Sequence, residues 1–542
     1  MAPNNNPTML AGYGPANASE NEKTGLLQKQ QTTAAATMPE KEHREGWKIV
    51  TVSLCLTMLT QSYILISVFP YSGYLAMHLI PGLNSEDAGS YAGLVSSSFM
   101  IGRTFSSFEW GRASDKYGRK RVIQASLFLS AIFSVLFGMA PTMRWALFWR
   151  CMLGASNGIM SSVKTVLSEY PKGDKVLETK MMALALGMWG YGFLICPAIS
   201  GYLSDPVRAY PDSQLVQAFE PWLSAFPFVL PNLVGAFLCM ASFFAVTLNV
   251  EETLAEEKRQ PFTIATLFNL KKKDNGAAEV VEVPRGESSL SQVEKPKQNN
   301  EHEPVTMYSI WKRKSTRQHL ILYWTYSFLL ISIDESFPLF CISHDSGLGL
   351  SEQMIGNILS GTGVFYVLIQ YFLITGLVKQ FGVYGALRLG TVFSIPFAMF
   401  IPFSLYLNRG ETEADSVNLV TYCFVAVSYS MVRTFSSVVF SGITIAVNKT
   451  VPSHMRATMQ GFSMLGGSLA KATGPAFAGS LFAFSVSSGL FEAPWGSVFA
   501  FCLIGFMGCL HVILSFQLEE FDPNAAEREA KKSKENSASV AA

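Results

Sequence analysis

The chain has 542 residues, of which 49% are hydrophobic and 15% charged, where a soluble domain carries about 25% charge. Mean hydropathy is +0.26 and formal net charge is +1. Those values exclude a wholly disordered chain, a secreted disulfide scaffold and a basic field suited to nucleic acid. What remains is an all-α polytopic membrane protein, because helices satisfy their own backbone in lipid. The eight cysteines lie singly, with no CxxC, and read as reduced packing residues. The seven histidines show no metal-ligand spacing, so neither a metal site nor a cofactor is expected.

Residues 1–46 are polar and lack the apolar core of a signal peptide, so they read as a disordered tail. Within it Glu22, Leu26 and Leu27 fit an acidic dileucine signal for adaptor proteins, which points to a vacuolar or lysosomal membrane, with the plasma membrane as the alternative. Apolar stretches of about 20 residues or more then recur, each long enough to cross a bilayer. Spans 1–6 are placed at 48–77, 90–110, 121–140, 145–168, 180–204 and 222–248. Spans 7–12 are placed at 318–342, 353–377, 384–407, 417–447, 457–484 and 495–517. The predicted organisation is a tail (1–46), a six-helix half (47–250), a charged linker (251–317), a second six-helix half (318–518) and a tail (519–542).

Basic residues set the expected orientation. Even-numbered connections hold Arg112, Lys116, Arg119, Lys120, Arg121, Lys172, Lys175, Lys180, Lys379, Arg388, Lys449 and Arg456. Odd-numbered ones hold Arg144, Arg208 and Arg409. The imbalance predicts both termini and the linker on the cytoplasmic side.

The two halves echo each other. Ser67-Val68-Phe69-Pro70 of span 1 matches Glu335-Ser336-Phe337-Pro338 of span 7. Pro197-Ala198-Ile199-Ser200-Gly201 of span 5 matches Pro475-Ala476-Phe477-Ala478-Gly479 of span 11, and Lys164-Thr165-Val166 matches Lys449-Thr450-Val451. Parallel six-helix repeats place a substrate site near mid-membrane between the halves.

Gly111-Arg112-Ala113-Ser114-Asp115-Lys116-Tyr117-Gly118-Arg119-Lys120 joins spans 2 and 3. It resembles the GxxxD(R/K)xGR(R/K) signature of the major facilitator superfamily, which implies twelve transmembrane helices in two pseudo-symmetric halves. In physical terms, Gly111 is expected to let span 2 approach a neighbour closely. Asp115 is an acceptor for charge-assisted bonds, and Gly118 permits a tight turn. Lys116, Arg119 and Lys120 hold the loop in the cytoplasm. Together they form a latch on one of two rigid-body arrangements. Arg150 with Gly154 and Gly158 resembles the superfamily's RxxxG motif. Gly187, Gly190, Gly192, Pro197 and Gly201 resemble its antiporter motif, which Gly466, Gly467, Gly474, Pro475 and Gly479 repeat in span 11. Pro338, Pro197, Pro475 and their glycines are expected to bend or thin helices.

Over a longer run, Tyr91 to Ile123, Phe226 to Pro231, Glu252-Thr253-Leu254 and Asn448 to Pro475 resemble the zinc-induced facilitator-like branch of the drug:proton antiporters. Members of that branch are linked to zinc and iron homeostasis, commonly by moving organic metal chelators. The resemblance implies a secondary active transporter that exchanges a small organic solute for protons. The candidates are a metal chelator, an organic anion or a drug-like compound. A uniporter, a symporter or a nutrient sensor on the same fold are the alternatives. With no HExxH or GxSxG, catalysis is not expected, and a monomer in the lipid bilayer is.

Ionisable residues inside spans usually serve a purpose. Asp334 and Glu335 are the first proton-coupling candidates, with Glu109 and Arg150 beside them; a simple interfacial acid pair is the competing reading. Gln61, Tyr63, Asn157, Trp189, Asn357, Gln370, Arg433 and Lys471 are candidates for lining the substrate cavity.

Overall fold

The computed structural model describes residues 40–172, 174–254, 256, 259, 307–407, 417–451 and 456–518. The dileucine candidate at Glu22, Leu26 and Leu27, most of the linker and the second tail lie outside them. By packing, the chain divides at residue 53. The described part of the first unit is helical over 40–52, where Thr51 Oγ1 donates to the Trp47 carbonyl at 2.7 Å.

The second unit carries the bundle. Among the described residues, eight helices are individually long and apolar enough to cross a membrane. The other crossings are spans 2, 4, 8 and 11, whose helices are broken, fused to a neighbour or studded with charge. Twelve crossing segments result, arranged as two six-helix halves. For orientation within the molecule, the end carrying residues 111–120 is the motif end and the opposite one the distal end.

Four elements depart from the expected boundaries, each for a local reason. Span 1 is two helices, Glu40–Ile66 and Ser72–Leu79, because Pro70 supplies no N–H and the ladder shortens to Phe69 N→Ile66 O at 3.2 Å. Span 4 breaks at Ser156-Asn157-Gly158 into Met143–Ala155 and Ile159–Glu169. Span 3 serines take up the loosened groups: Ser126 Oγ accepts from Gly158 N at 2.7 Å and donates to Ser156 O. Span 6 starts at Val229, not 222, since Pro227 disfavours helix in the residue before it. Spans 8 and 9 run together over Glu352–Phe393 across a non-helical Gly382 (φ 72°), and span 9 finishes as a 3-10 helix, Ile395–Tyr406, with Pro396 and Pro402 inside.

Glycines decide how closely spans cross. A Cβ at Gly154 would stand 2.0 Å from Phe99 O, so spans 2 and 4 touch backbone to backbone. Between the halves, a Cβ at Gly93 would meet Pro475 O at 2.3 Å, one at Gly479 would meet Gly89 O at 2.2 Å, and one at Gly201 would meet Glu352 O at 2.5 Å. Spans 2 and 11, and spans 5 and 8, therefore form two tight seams. The expectation for Gly111 is not met in this arrangement: a Cβ there meets nothing within 4 Å among the described residues. Gly118 does take the positive φ (110°) that its turn needs.

Candidate functional site

The bonds that join the halves gather at the distal end. Glu86, between spans 1 and 2, accepts from Ser343 Oγ at 2.6 Å and from the amides of His344 and Asp345 at 3.0 and 3.1 Å. Arg208 pairs with Glu352, and Tyr74 donates to the Leu350 carbonyl. Asn357 Nδ2 donates to Tyr202 Oη at 3.1 Å, which puts this cavity candidate into the distal closure. Ser360 Oγ and Ser97 Oγ accept from the amides of Ala198 and Ala476, the residues that follow Pro197 and Pro475. Those prolines sit inside continuous helices, and they serve the seams with Gly201 and Gly479, while Gly474 packs on Phe328 and Ile331 of span 7 within its own half. Pro338 likewise lies within the unbroken helix Lys314–Ile342.

Below this closure two arginines reach from the fourth helix of each half to the first. Arg150 is 2% exposed. Its Nη1 and Nη2 donate to the carbonyls of Ile64 and Leu65 at 3.0 and 3.4 Å, groups orphaned by the break before Pro70. The rings of Phe99 and Phe137 flank its guanidinium, with centroids at 4.9 and 5.3 Å. Arg433 Nη1 donates to both carboxylate oxygens of Asp334, at 2.7 and 2.6 Å, and Tyr429 Oη donates to Oδ1 at 2.9 Å. Phe337 stacks on Tyr429 with centroids 4.0 Å apart, and Phe193 from span 5 lies 3.8 Å from Arg433 Cζ.

Glu335 is treated differently from its neighbour. It is 1% exposed, and among the described residues neither carboxyl oxygen has a partner within hydrogen-bond geometry. Ser96, Asp334 and Arg150 are polar groups facing it, with the Ser96 hydroxyl turned toward its carboxyl group. Between the halves a small void of about 10 Å³ is lined by Leu65, Val68, Ser96, Arg150, Ile331 and Pro475 among others. That is room for about one water molecule.

The remaining candidates are dispersed. Gln61 and Asn157 are buried with both amide atoms unpartnered. Tyr63 Oη donates to Pro231 O at 2.9 Å within the first half, and Trp189 is half-buried. Lys471 Nζ lies 5.3 Å from the Phe440 ring centroid. The Gln370 side chain lies outside the described residues. Glu109 is 3.6 Å from Arg112 on an exposed face.

At the motif end, Arg119 Nη2 contacts Asp115 and Glu169, both at 3.1 Å. Glu252 caps the start of span 3, accepting from Arg119 N and Lys120 N at 2.8 and 3.1 Å. Lys120 Nζ donates to Thr247 O at 2.9 Å, and Lys116 lies over the Tyr117 ring at 5.5 Å. Asp115 itself is 76% exposed in its side chain. Sequence reasoning missed Glu86, Glu169, Tyr429 and Phe193 as members of these clusters. Glu86 and Glu169 carry no motif, and nothing local marks an aromatic as a partner for a distant arginine. Among the described residues no three His, Cys, Asp or Glu converge as a metal site requires.

Residues 51–434 match the family model of the Major Facilitator Superfamily. The chain belongs to that superfamily. It is 28% identical to a probable peptide/nitrate transporter of Arabidopsis thaliana over 90% of this chain and 94% of the relative. It is also 28% identical to Protein ZINC INDUCED FACILITATOR 1 of Arabidopsis thaliana, over 82% of this chain and 86% of that one. The solved D-xylose-proton symporter shares the fold with a TM-score of 0.62 at 14% identity, covering 87% of this chain and 98% of that one. The protein is thus a multi-pass membrane transporter of the major facilitator superfamily, with relatives among the zinc-induced facilitators.

Proposed function

We propose that this transporter couples movement of a small organic solute to protons by alternating access, with Glu335 as the proton carrier. The solute is a metal chelator, an organic anion or a drug-like compound, and the resemblance of the chain to drug:proton antiporters supports exchange as the mode. The observation that carries the coupling is Glu335 itself: a fully buried carboxyl group at the meeting of the halves, whose two oxygens have no partner within hydrogen-bond geometry among the described residues. A charge there must be neutralised before the site crosses a closed, low-dielectric intermediate. A proton does so from one side, and a cationic group of the solute from the other. Asp334 is unsuited to the task while Arg433 and Tyr429 hold it. The halves at 47–250 and 318–518, the cytoplasmic linker at 251–317 and cytoplasmic termini belong to this reading.

A second reading, cotransport, is favoured by a specific observation. Arg103, Lys164 and Lys471 lie in spans at the motif-end side of Glu335, without a carboxylate partner among the described residues. An anion held there would attract a proton to Glu335 rather than compete with it.

Proteoliposomes with trapped pyranine and an imposed pH gradient, challenged with citrate, histidine and ethidium, test the coupling. Solute-dependent proton movement is expected in the native protein. In Glu335→Gln it should vanish while solute-for-solute exchange persists. A Glu335→Gln protein that still concentrates solute against its gradient would remove Glu335 from the role, and Glu109 would be the next residue to test. The direction of proton movement separates exchange from cotransport.

A further inference from the structure

We propose that Arg103, Lys164 and Lys471 form an anion-binding site between the halves, which selects a solute carrying at least two negative charges. The inference rests on the transporter reading for what happens to the bound anion, but binding itself does not depend on proton coupling. Arg103 comes from span 2, Lys164 from the second helix of span 4 and Lys471 from span 11, so both halves contribute. All three side chains are half-buried.

Their surroundings lack compensation. The charged groups within electrostatic reach of Lys471 are Arg103, Asp334, Lys164 and Arg433, and Lys164 in turn faces Arg103. The single acid in that set, Asp334, is already held by Arg433 at 2.6 Å. Glu109, two turns along span 2 from Arg103, is turned to Arg112. Among the described residues Lys471 faces the ring of Phe440 and its ammonium makes no hydrogen bond or ion pair. Among the described residues none of the three cations pairs with a carboxylate.

Like charges gathered within membrane spans repel one another and are costly unless something supplies the opposite charge. Lone cations on a span can extend to the headgroups. These three instead come from separate helices and face one another on the motif-end side of the distal closure. Carboxylate, sulfonate or phosphate groups match the donors: a planar guanidinium fork on Arg103 and two mobile ammonium groups. An anion bridging Lys471 to Arg103 and Lys164 would tie span 11 to spans 2 and 4. Binding would then favour closing the motif end, which is the step alternating access requires next.

The same donors would accept a soluble dianion or an anionic lipid headgroup, and the experiment separates the two. Thermal unfolding of the purified full chain in detergent is measured at constant ionic strength with citrate, malate, glucose, choline or micellar phosphatidic acid. Citrate or malate is expected to raise the unfolding temperature, and glucose and choline to leave it unchanged. Lys471→Gln or Arg103→Gln is expected to weaken the anion effect by about tenfold or more, the scale of one charge-assisted hydrogen bond, and the double variant to abolish it. Lys164→Arg, which keeps the charge, should retain it. No shift with citrate or malate in the native protein, or an equal shift in the double variant, overturns the proposal. A shift with phosphatidic acid alone also overturns it, in favour of a lipid site. Glu335→Gln should keep the citrate or malate effect, so failure of the proton assignment and failure of the anion site are read separately.

Discussion

Arg433 grips Asp334 where Arg150 grips the carbonyls of Ile64 and Leu65, so one scaffold bond appears in both halves with different acceptors. The two arginines are 433 − 150 = 283 residues apart, close to the 449 − 164 = 285 of the matching lysines on the same spans. In the first half, the helix break before Pro70 exposes backbone oxygens for the arginine. In the second, the helix runs unbroken through Pro338, and a carboxylate rather than backbone oxygens meets the arginine. The arginine thus ties the fourth helix to the first in each half, and Glu335 makes no ion pair among the described residues.

The pair gives a double-variant test. Arg433→Gln strands a buried Asp334 carboxylate and is expected to destabilise the protein by about 3–5 kcal/mol, the usual cost of removing one partner of a buried pair. Asp334→Asn combined with Arg433→Gln should recover most of that loss, since no buried charge remains. Unfolding temperatures of the three purified variants decide it. Failure of the double variant to recover would mean that Arg433 is needed for more than holding Asp334.

Arg150→Lys is expected to lower the unfolding temperature despite conserving charge. One ammonium cannot span the two carbonyls that the guanidinium bridges, nor lie flat between Phe99 and Phe137. The loss is about 1.5–3 kcal/mol for a charge-assisted hydrogen bond. Equal stability of the two proteins would show that the break in span 1 is held by other contacts.

For Asp115→Asn the expected result is slow transport with unchanged unfolding temperature and expression. In this arrangement Asp115 makes one exposed pair with Arg119, and such pairs contribute little to stability. The proposed latch role of Asp115 is assigned to the other arrangement, in which the motif end is shut. Solute flux and thermal unfolding of the same preparation measure the two effects. Native flux in this variant would reduce the 111–120 loop to a topology signal.

The basic residues predict that the linker is cytoplasmic. A cysteine-less background carrying Ser289→Cys should resist an impermeant maleimide in sealed cells and react after permeabilisation. Labelling from outside in intact cells would invert the assigned orientation.

Hydropathy, spacing of Gly and Pro, and the Gly111–Lys120 motif were enough to derive the twelve crossings, the two halves and the family, because lipid demands long apolar helices and repeats leave matching words. The elements that could not be read were those set by partners distant in the chain. Ser156-Asn157-Gly158 looked like the middle of a helix, and only span 3 serines make a break there stable. Asp334 and Glu335 are adjacent and chemically alike, so of the four proton-coupling candidates the sequence favoured Glu335 over Asp334 only through the Phe-Pro that follows it. The fold separates them, since successive helical positions point about 100° apart: one meets Arg433 and Tyr429, the other faces the seam without an ion pair among the described residues. Gly111 was assigned a close crossing that this arrangement places at Gly93, Gly154 and Gly479 instead. The sequence alone determined which segments enter the membrane, as burial in lipid depends on local composition. Which charges are paired, which stay open and which end is closed depended on helices far apart in the chain coming to lie side by side, and only the tertiary structure decided that.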